Sequence, residues 1–410
     1  MTAPVYILGG AQSDFAANWA RQGKDIFAAF RDILLEGLQA TGLEPAQVKT
    51  GHVANFVGDL FNGQGQLGGF FAMVDPGFDG LPAARHEAAC ASGSVAVLAA
   101  AAEIEAGRYD LAAVVGIEQM RNIPGDQAAM NLNAAAWVGH ECQGVRFAWP
   151  HLFGRLGEAY AARYGLNYDH LMAIARNNFA NARRNPKAQT RAWTFSERSF
   201  TADDEANPVI DGMIRKQDCG QVTDGAAVVF LAGEGTAQAW AADRGLSLED
   251  LPRILGWGHT TAPMDFAAKL ARAGNSPYVM PHLRKAITDA QARAGLPGIE
   301  AIDVIETHDC FTTTEYMAID HFGLTPPGQS WRAIEDGTIT RDGALPVNPS
   351  GGLIGLGHPV GATGVRMLLD AANQATGRAG PCQVEGARRV QTLNVGGSAT
   401  TVVSFVVGRG

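Results

Sequence analysis

Cysteine is scarce in this sequence and spaced for neither a scaffold nor a ribbon. The 410 residues hold five, at 90, 142, 219, 310 and 382, with no CxxC pair among them. That excludes a disulfide framework and a zinc ribbon. Charge is thin as well: 18% of residues are charged, the formal net charge is −9, and no run of Lys or Arg is long enough to follow a nucleic-acid backbone. A long uninterrupted apolar run is missing too. The longest stretch, 89–104, is broken by Ser and Gly and ends in charge, so it reads as a buried helix and not as a membrane span. No charged and apolar leader precedes the first strand at Val5-Tyr6-Ile7-Leu8. Unpaired thiols without a leader, and a C-terminus without an SKL-type ending, predict a cytoplasmic protein. Hydrophobic residues reach 46%, enough for a large core shared by two or three domains.

What is present is layered. Ile26, Phe27, Phe30, Ile33, Leu34 and Leu38 recur at the spacing of an amphipathic helix over 25–42. A strand over 52–57 and a glycine-rich loop over 63–69 follow. Residues 92–106 predict a helix apolar nearly all round, which belongs in the middle of an α/β stack. Residues 111–115 predict a strand closed by Gly116. Between 121 and 218 Asn, Arg, Trp and Gly become frequent, and helical pieces at 154–164 and 168–185 are separated by turns, which predicts an insertion. Residues 224–231 and 398–405 read as two similar strands after small-residue turns, an echo that suggests duplication.

Four loops carry candidate chemistry, each where a strand or turn meets a helix or hairpin, the edge at which open α/β sheets bind ligands. Cys90 lies in Glu87-Ala88-Ala89-Cys90-Ala91-Ser92-Gly93-Ser94, ahead of the apolar helix. Helix dipoles there favour a thiolate, and Gly93 would let a substrate approach the backbone. The competing reading is a small core cysteine. His358 lies in Asn348-Pro349-Ser350-Gly351-Gly352 followed by Gly355-Leu356-Gly357-His358-Pro359-Val360-Gly361-Ala362-Thr363-Gly364, before a helix over 363–375. An imidazole there can accept a thiol proton or hold an oxyanion. The phosphate-binding glycine spacings are absent. His308 and Cys310 lie in Thr307-His308-Asp309-Cys310-Phe311, opening a helix through a Thr312–Glu315 capping box. A metal pair is the rival reading, but a third ligand is not evident. The fourth loop, Asn394-Val395-Gly396-Gly397-Ser398, frees a backbone N–H at Gly396 or is an ordinary hairpin.

Taken together these segments resemble the thiolase family from end to end. Cys90-Ala91-Ser92-Gly93, Asp224-Gly225-Ala226-Ala227 and the long run around His358 carry the likeness. His308-Asp309-Cys310-Phe311 replaces the family's usual Asn-Glu-Ala-Phe, and Asn394-Val395-Gly396 replaces its Cys-x-Gly, so the chain looks like the sterol-carrier-protein branch.

The resemblance implies an α/β thiolase fold, with two duplicated βαβαβαββ halves in a five-layered α-β-α-β-α arrangement. An N-terminal half would span 1–120 plus 219–250, an inserted loop domain 121–218, and a C-terminal half 251–410. It implies an acyltransferase that cleaves 3-ketoacyl-CoA with CoA, or runs the reverse Claisen condensation, through a Cys90 acyl-enzyme. His358 would take the thiol proton and His308 would share its oxyanion site. The N–H groups of Cys90 and Gly396 would form a second site, and Cys310 would be the acid–base at the α-carbon. Coenzyme A would be a substrate, with no permanently bound cofactor and no metal.

A homodimer or homotetramer is expected, without nucleic-acid or membrane partners. Alternatives are C-acylation of a non-CoA acceptor and a subunit that works only with a small zinc-ribbon/OB-fold partner. Arg183, Arg184, Lys187 and Arg191 are candidates for the CoA phosphates. Phe70, Phe71, Trp137, Trp149 and Phe153 either line the acyl pocket or pack the core.

Overall fold

The computed structural model describes residues 3–409. Its main elements begin with β1 (Val5–Gln12), α1 (Ile26–Thr41), β2 (Thr50–Ala54), β3 (Ala83–His86), α2 (Ser92–Glu105) and β4 (Leu111–Glu118). A long excursion then carries α3 (Gly125–Leu132), α4 (Ala148–Tyr164), α5 (Tyr168–Ala182) and the hairpin β5–β6 (Val209–Asp211, Ile214–Arg215). After β7 (Gly225–Ala232) come β8 (Pro252–Thr261), α6 (Pro281–Arg293), β9 (Val304–Thr307) and α7 (Thr312–Phe322). Helix α8 (Val360–Ala375) and strands β10 (Arg389–Gly396) and β11 (Thr401–Arg409) end the chain.

The strands run in the order β3-β2-β4-β7-β1-β8-β11-β10-β9. Only Val5↔Ile254 and Tyr6↔Arg253 join β1 to β8, so two sheets meet at a corner. Each repeats one plan. β7 pairs antiparallel with both β1 and β4, and β2 runs parallel to β4. Likewise β11 pairs antiparallel with both β8 and β10, and β9 runs parallel to β10. The counterpart of β3 is the single parallel bridge Ile305↔Val347. In the first half the third strand leads into the Cys90 loop; in the second, Val347 leads into the His358 loop. The suggested duplication is therefore visible in the strand order.

The period-two pattern sorts side chains into layers. Leu111, Ala113, Val115 and Ile117 face outward onto Phe30, Ile33 and Leu34 of α1, whereas Ala112 and Val114 face inward. The inward layer meets Ala96, Val97 and Ala100 of α2 and Val365 and Leu368 of α8, with Val403, Phe405 and Val407 closing it from the second sheet. Val402 and Val406 point the other way, to Leu283 and Ile287 of α6 and Met317 and Ile319 of α7. Two helices are thus sandwiched between two sheets, each sheet with its own outer helical layer. Each large apolar side chain buried here contributes roughly 1.5–3 kcal/mol.

Several local expectations shift. The strand expected over 52–57 ends at Ala54, because the N–H groups of Phe56 and Val57 turn to the carboxylate of Glu118 at 2.9 and 3.1 Å. Gly116 does not close β4. The strand continues to Glu118, and a Cβ at Gly116 would lie 2.6 Å from the carbonyl oxygen of Gly361. Gly93 does not admit a substrate either: its missing Cβ leaves room for the backbone nitrogens of Gly364 and Val365, 2.7 Å from where that atom would sit. The central helices cross there in backbone contact. The capping box is also absent. Thr312 bonds to Asp218, and Glu315 receives the amides of Asn178 and Asn348.

Candidate active site

Cys90 sits in a single 3-10 turn, Ala89–Ala91, directly ahead of α2. The turn is tied locally: Ser92 Oγ donates to Ala89 O at 2.6 Å and receives Ala88 N–H at 2.9 Å. His358 lies two residues ahead of α8, just as Cys90 lies two ahead of α2. One ligand-type atom each from Cys90, His308 and His358 falls within 4.8 Å of the others. The two imidazoles meet edge to face, 5.1 Å between centroids.

The hydrogen bonds of His358 decide its tautomer. Thr363 Oγ1 donates its one proton to Pro359 O at 2.9 Å. It must therefore accept from His358 Nδ1–H, 2.8 Å away. Nε2 is left with a lone pair and has no hydrogen-bond partner although buried. Burial and the buried Arg366 lower its pKa to about 3, so it rests as a neutral base.

Cys90 does not rest as a thiolate, contrary to the expectation from the helix dipole. Burial pushes its thiol up to about 12, with the Glu118 and Glu87 charges adding to the rise and the N–H groups of Gly397 and Cys90 itself opposing it. Desolvation outweighs the backbone donors at this depth. The resting pair is thiol and imidazole. Iodoacetamide alkylation of Cys90 should accordingly be slow at neutral pH and still rising above roughly pH 8.5, the ordinary thiol pKa. A plateau at pH 6–7 in the alkylation rate would mean a preformed thiolate.

The third loop is moored to the second. Asp309 accepts N–H groups of Leu353 and Ile354 at 2.5 and 3.3 Å and the amide of Asn178 at 2.8 Å. Asn348 Oδ1 accepts Thr307 N–H at 2.8 Å. These bonds hold His308 and Cys310 over the His358 loop. Cys310 is buried, and desolvation above all keeps its thiol well above the usual range. The fourth loop contributes Asn394, which lies 2.9 Å from Cys90 O and 3.2 Å from His308 Nδ1. The backbone donors to the Cys90 sulfur are the N–H groups of Gly397 and of Cys90 itself. Gly396 is packed where a Cβ would meet Ala88 O at 2.2 Å, so its glycine serves close approach.

Cys90, Cys310, His358 and Gly397 share the wall of a cavity of about 360 Å³ with Trp149 and Phe153. His308 stands behind that wall, 1% exposed. Phe70 and Phe71 instead pack edge to face on Phe30, and Trp137 is exposed. None of Arg183, Arg184, Lys187 and Arg191 lines the cavity. Arg191 turns to Asp14 at 2.7 Å and Lys187 to Glu36 at 3.5 Å. The cation at the cavity wall is Lys216, which the sequence pattern did not single out. Cys90, His308 and His358 also form the one cluster of metal-type donors among the described residues. Neither imidazole is backed by a carboxylate, as metal-bound histidines usually are, and the arrangement suits acid–base work.

Two family models match the chain: "Thiolase, N-terminal domain" over residues 25–235 and "Thiolase C-terminal domain-like" over 271–409. Acetyl-CoA acetyltransferase of Methanothermobacter thermautotrophicus is 30% identical over 99% of both chains. Sterol carrier protein 2 of Homo sapiens is 27% identical over 98% of this chain and 72% of that protein. Among solved structures, an Ltp2-ChsH2(DUF35) aldolase superposes with a TM-score of 0.77 at 18% identity, covering 99% of this chain and 98% of that one. Human mitochondrial 3-ketoacyl-CoA thiolase in complex with CoA gives 0.68 at 16%, covering 100% and 98%. The chain belongs to the thiolase family, whose fold it has, and is an acyltransferase.

Proposed function

We propose that this enzyme cleaves 3-ketoacyl-CoA with CoA, or makes it by the reverse condensation, through an acyl group carried on Cys90, as a member of the sterol-carrier-protein branch. The observation that carries the reading is that Cys90, Cys310 and the unpartnered Nε2 of His358 converge on one apolar cavity. In cleavage, His358 Nε2 takes the Cys90 proton and the sulfur attacks the 3-keto carbon. The resulting alkoxide collapses, breaks the carbon–carbon bond and leaves an acyl-cysteine. The departing acetyl-CoA enolate takes its proton from Cys310, which rests as a neutral thiol and needs no prior ionisation for this step. His358 passes its proton to the Cys310 thiolate; CoA then gives its own thiol proton to His358 Nε2 and attacks the thioester, and Cys90 takes that proton as it leaves.

The N–H groups of Cys90 and Gly397 suit the oxyanion formed on the acylated carbon. Trp149, Phe153, Phe147 and Leu132 in the wall suit an apolar acyl group. Lys216 at its edge is the side chain suited to an anionic end of the substrate.

The test is to incubate the chain alone with acetoacetyl-CoA and CoA, following loss of the enolate absorbance and the intact mass. Turnover with an acetyl adduct on Cys90 is expected. Absence of both turnover and adduct would overturn the reading. An adduct without turnover would favour the partner-dependent alternative, which the complex named in the Ltp2-ChsH2(DUF35) structure illustrates for that protein.

A further inference from the structure

Asn394 lies two residues before the end of β10, where three of the loops meet, and its side chain is fully buried. Its amide has three neighbours: Ser94 Oγ at 2.9 Å, Cys90 O at 2.9 Å and His308 Nδ1 at 3.2 Å. A backbone carbonyl only accepts, so the group facing Cys90 O is the NH2, and Oδ1 is left to receive the Ser94 hydroxyl. Chemistry therefore fixes which way the amide points. An NH2 offers only hydrogens. The ring nitrogen beside it must present a lone pair, and the single proton of a neutral imidazole must sit on the other nitrogen.

We propose that Asn394 is a positioning residue that locks His308 as the Nε2–H tautomer, a standing hydrogen-bond donor. His358 is locked by Thr363 in the opposite sense, with Nε2 bare. The site thus holds two neutral imidazoles of opposite polarity, one to take a proton and one to give a hydrogen bond to a developing oxyanion. Burial, with the buried Arg366 cation adding to it, keeps His308 far below its usual pKa, so it donates without becoming a cation. Asparagine has no proton to lose at this position, and its contribution is orientation. The inference rests on the acyl-transfer reading for its role in the reaction, but the tautomer itself does not.

The wild-type enzyme decides the tautomer directly. Long-range proton–nitrogen NMR of its imidazoles, with the His308 signal assigned by its loss in His308→Gln, is expected to show a protonated Nε2 and a bare Nδ1 from pH 6 to 9. A proton on Nδ1 would overturn the proposal, whatever any variant does.

Asn394→Asp replaces the NH2 by an acceptor of the same size and should draw the proton to Nδ1. With that donor lost, kcat should fall by about 10²–10³-fold, the usual effect of one oxyanion donor. KM should change little, because Asn394 does not line the cavity. A variant that moves the proton and keeps the parental kcat would also overturn the proposal. If the wild type shows the Nε2–H signature yet transfers no acyl group, the acyl-transfer reading fails and the tautomer lock stands.

Discussion

Cys90→Ala is expected to lower acyl transfer by on the order of 10⁴-fold or more, the scale seen when a nucleophile is removed from a concerted set. No adduct should form with any acyl-CoA. The reason is geometric: of the thiols lining the cavity, Cys90 alone lies within 4.8 Å of both imidazoles. Cys219 and Cys310 also line it, but Cys219 directs its sulfur to Arg215 O at 3.3 Å, and desolvation drives its thiol far upward. Stopped-flow loss of acetoacetyl-CoA and intact-mass measurement read this together. Turnover at a comparable rate would remove the acyl-enzyme from the scheme.

The second large effect separates the half-reactions. Cys310→Ala should slow carbon–carbon cleavage and condensation by roughly 10²–10⁴-fold, the usual contribution of a positioned acid–base group. Acylation of Cys90 by acetyl-CoA should continue. Cys310 is held by the Gly220 N–H to its carbonyl at 2.8 Å and faces the same cavity. Its high thiol pKa suits it to protonate an enolate, a strong base that a carboxylate would serve less well. Exchange of labelled CoA into acetyl-CoA, which needs only the acyl-cysteine, is the control that should survive. If exchange and cleavage fell together, Cys310 would be acting through Cys90 and not on the α-carbon.

Both sulfurs and both imidazoles were legible in the sequence because each lies in a loop dense with small residues. A thiol before an all-apolar helix and a histidine flanked by Gly357 and Pro359 are local signals. The residues that moor those loops gave no such signal. Glu118 receives Gly361 N–H from 243 residues away, and Asn394 meets Ser94 across 300. A lone buried polar residue is recognised by its partner, and sequence spacing holds no record of partners that distant. The error at Cys90 had the same root: the helix dipole is local and was visible, whereas the burial that overrides it comes from the whole fold. Gly396 and Gly397 look alike in the sequence and separate only in the fold, where the first packs against Ala88 and the second faces the Cys90 sulfur.

The strand plan repeated on either side of the β1–β8 corner has a consequence for the catalyst. The sulfur belongs to one repeat and both imidazoles to the other, so neither repeat carries a working set alone. The catalyst exists only where the two repeats meet.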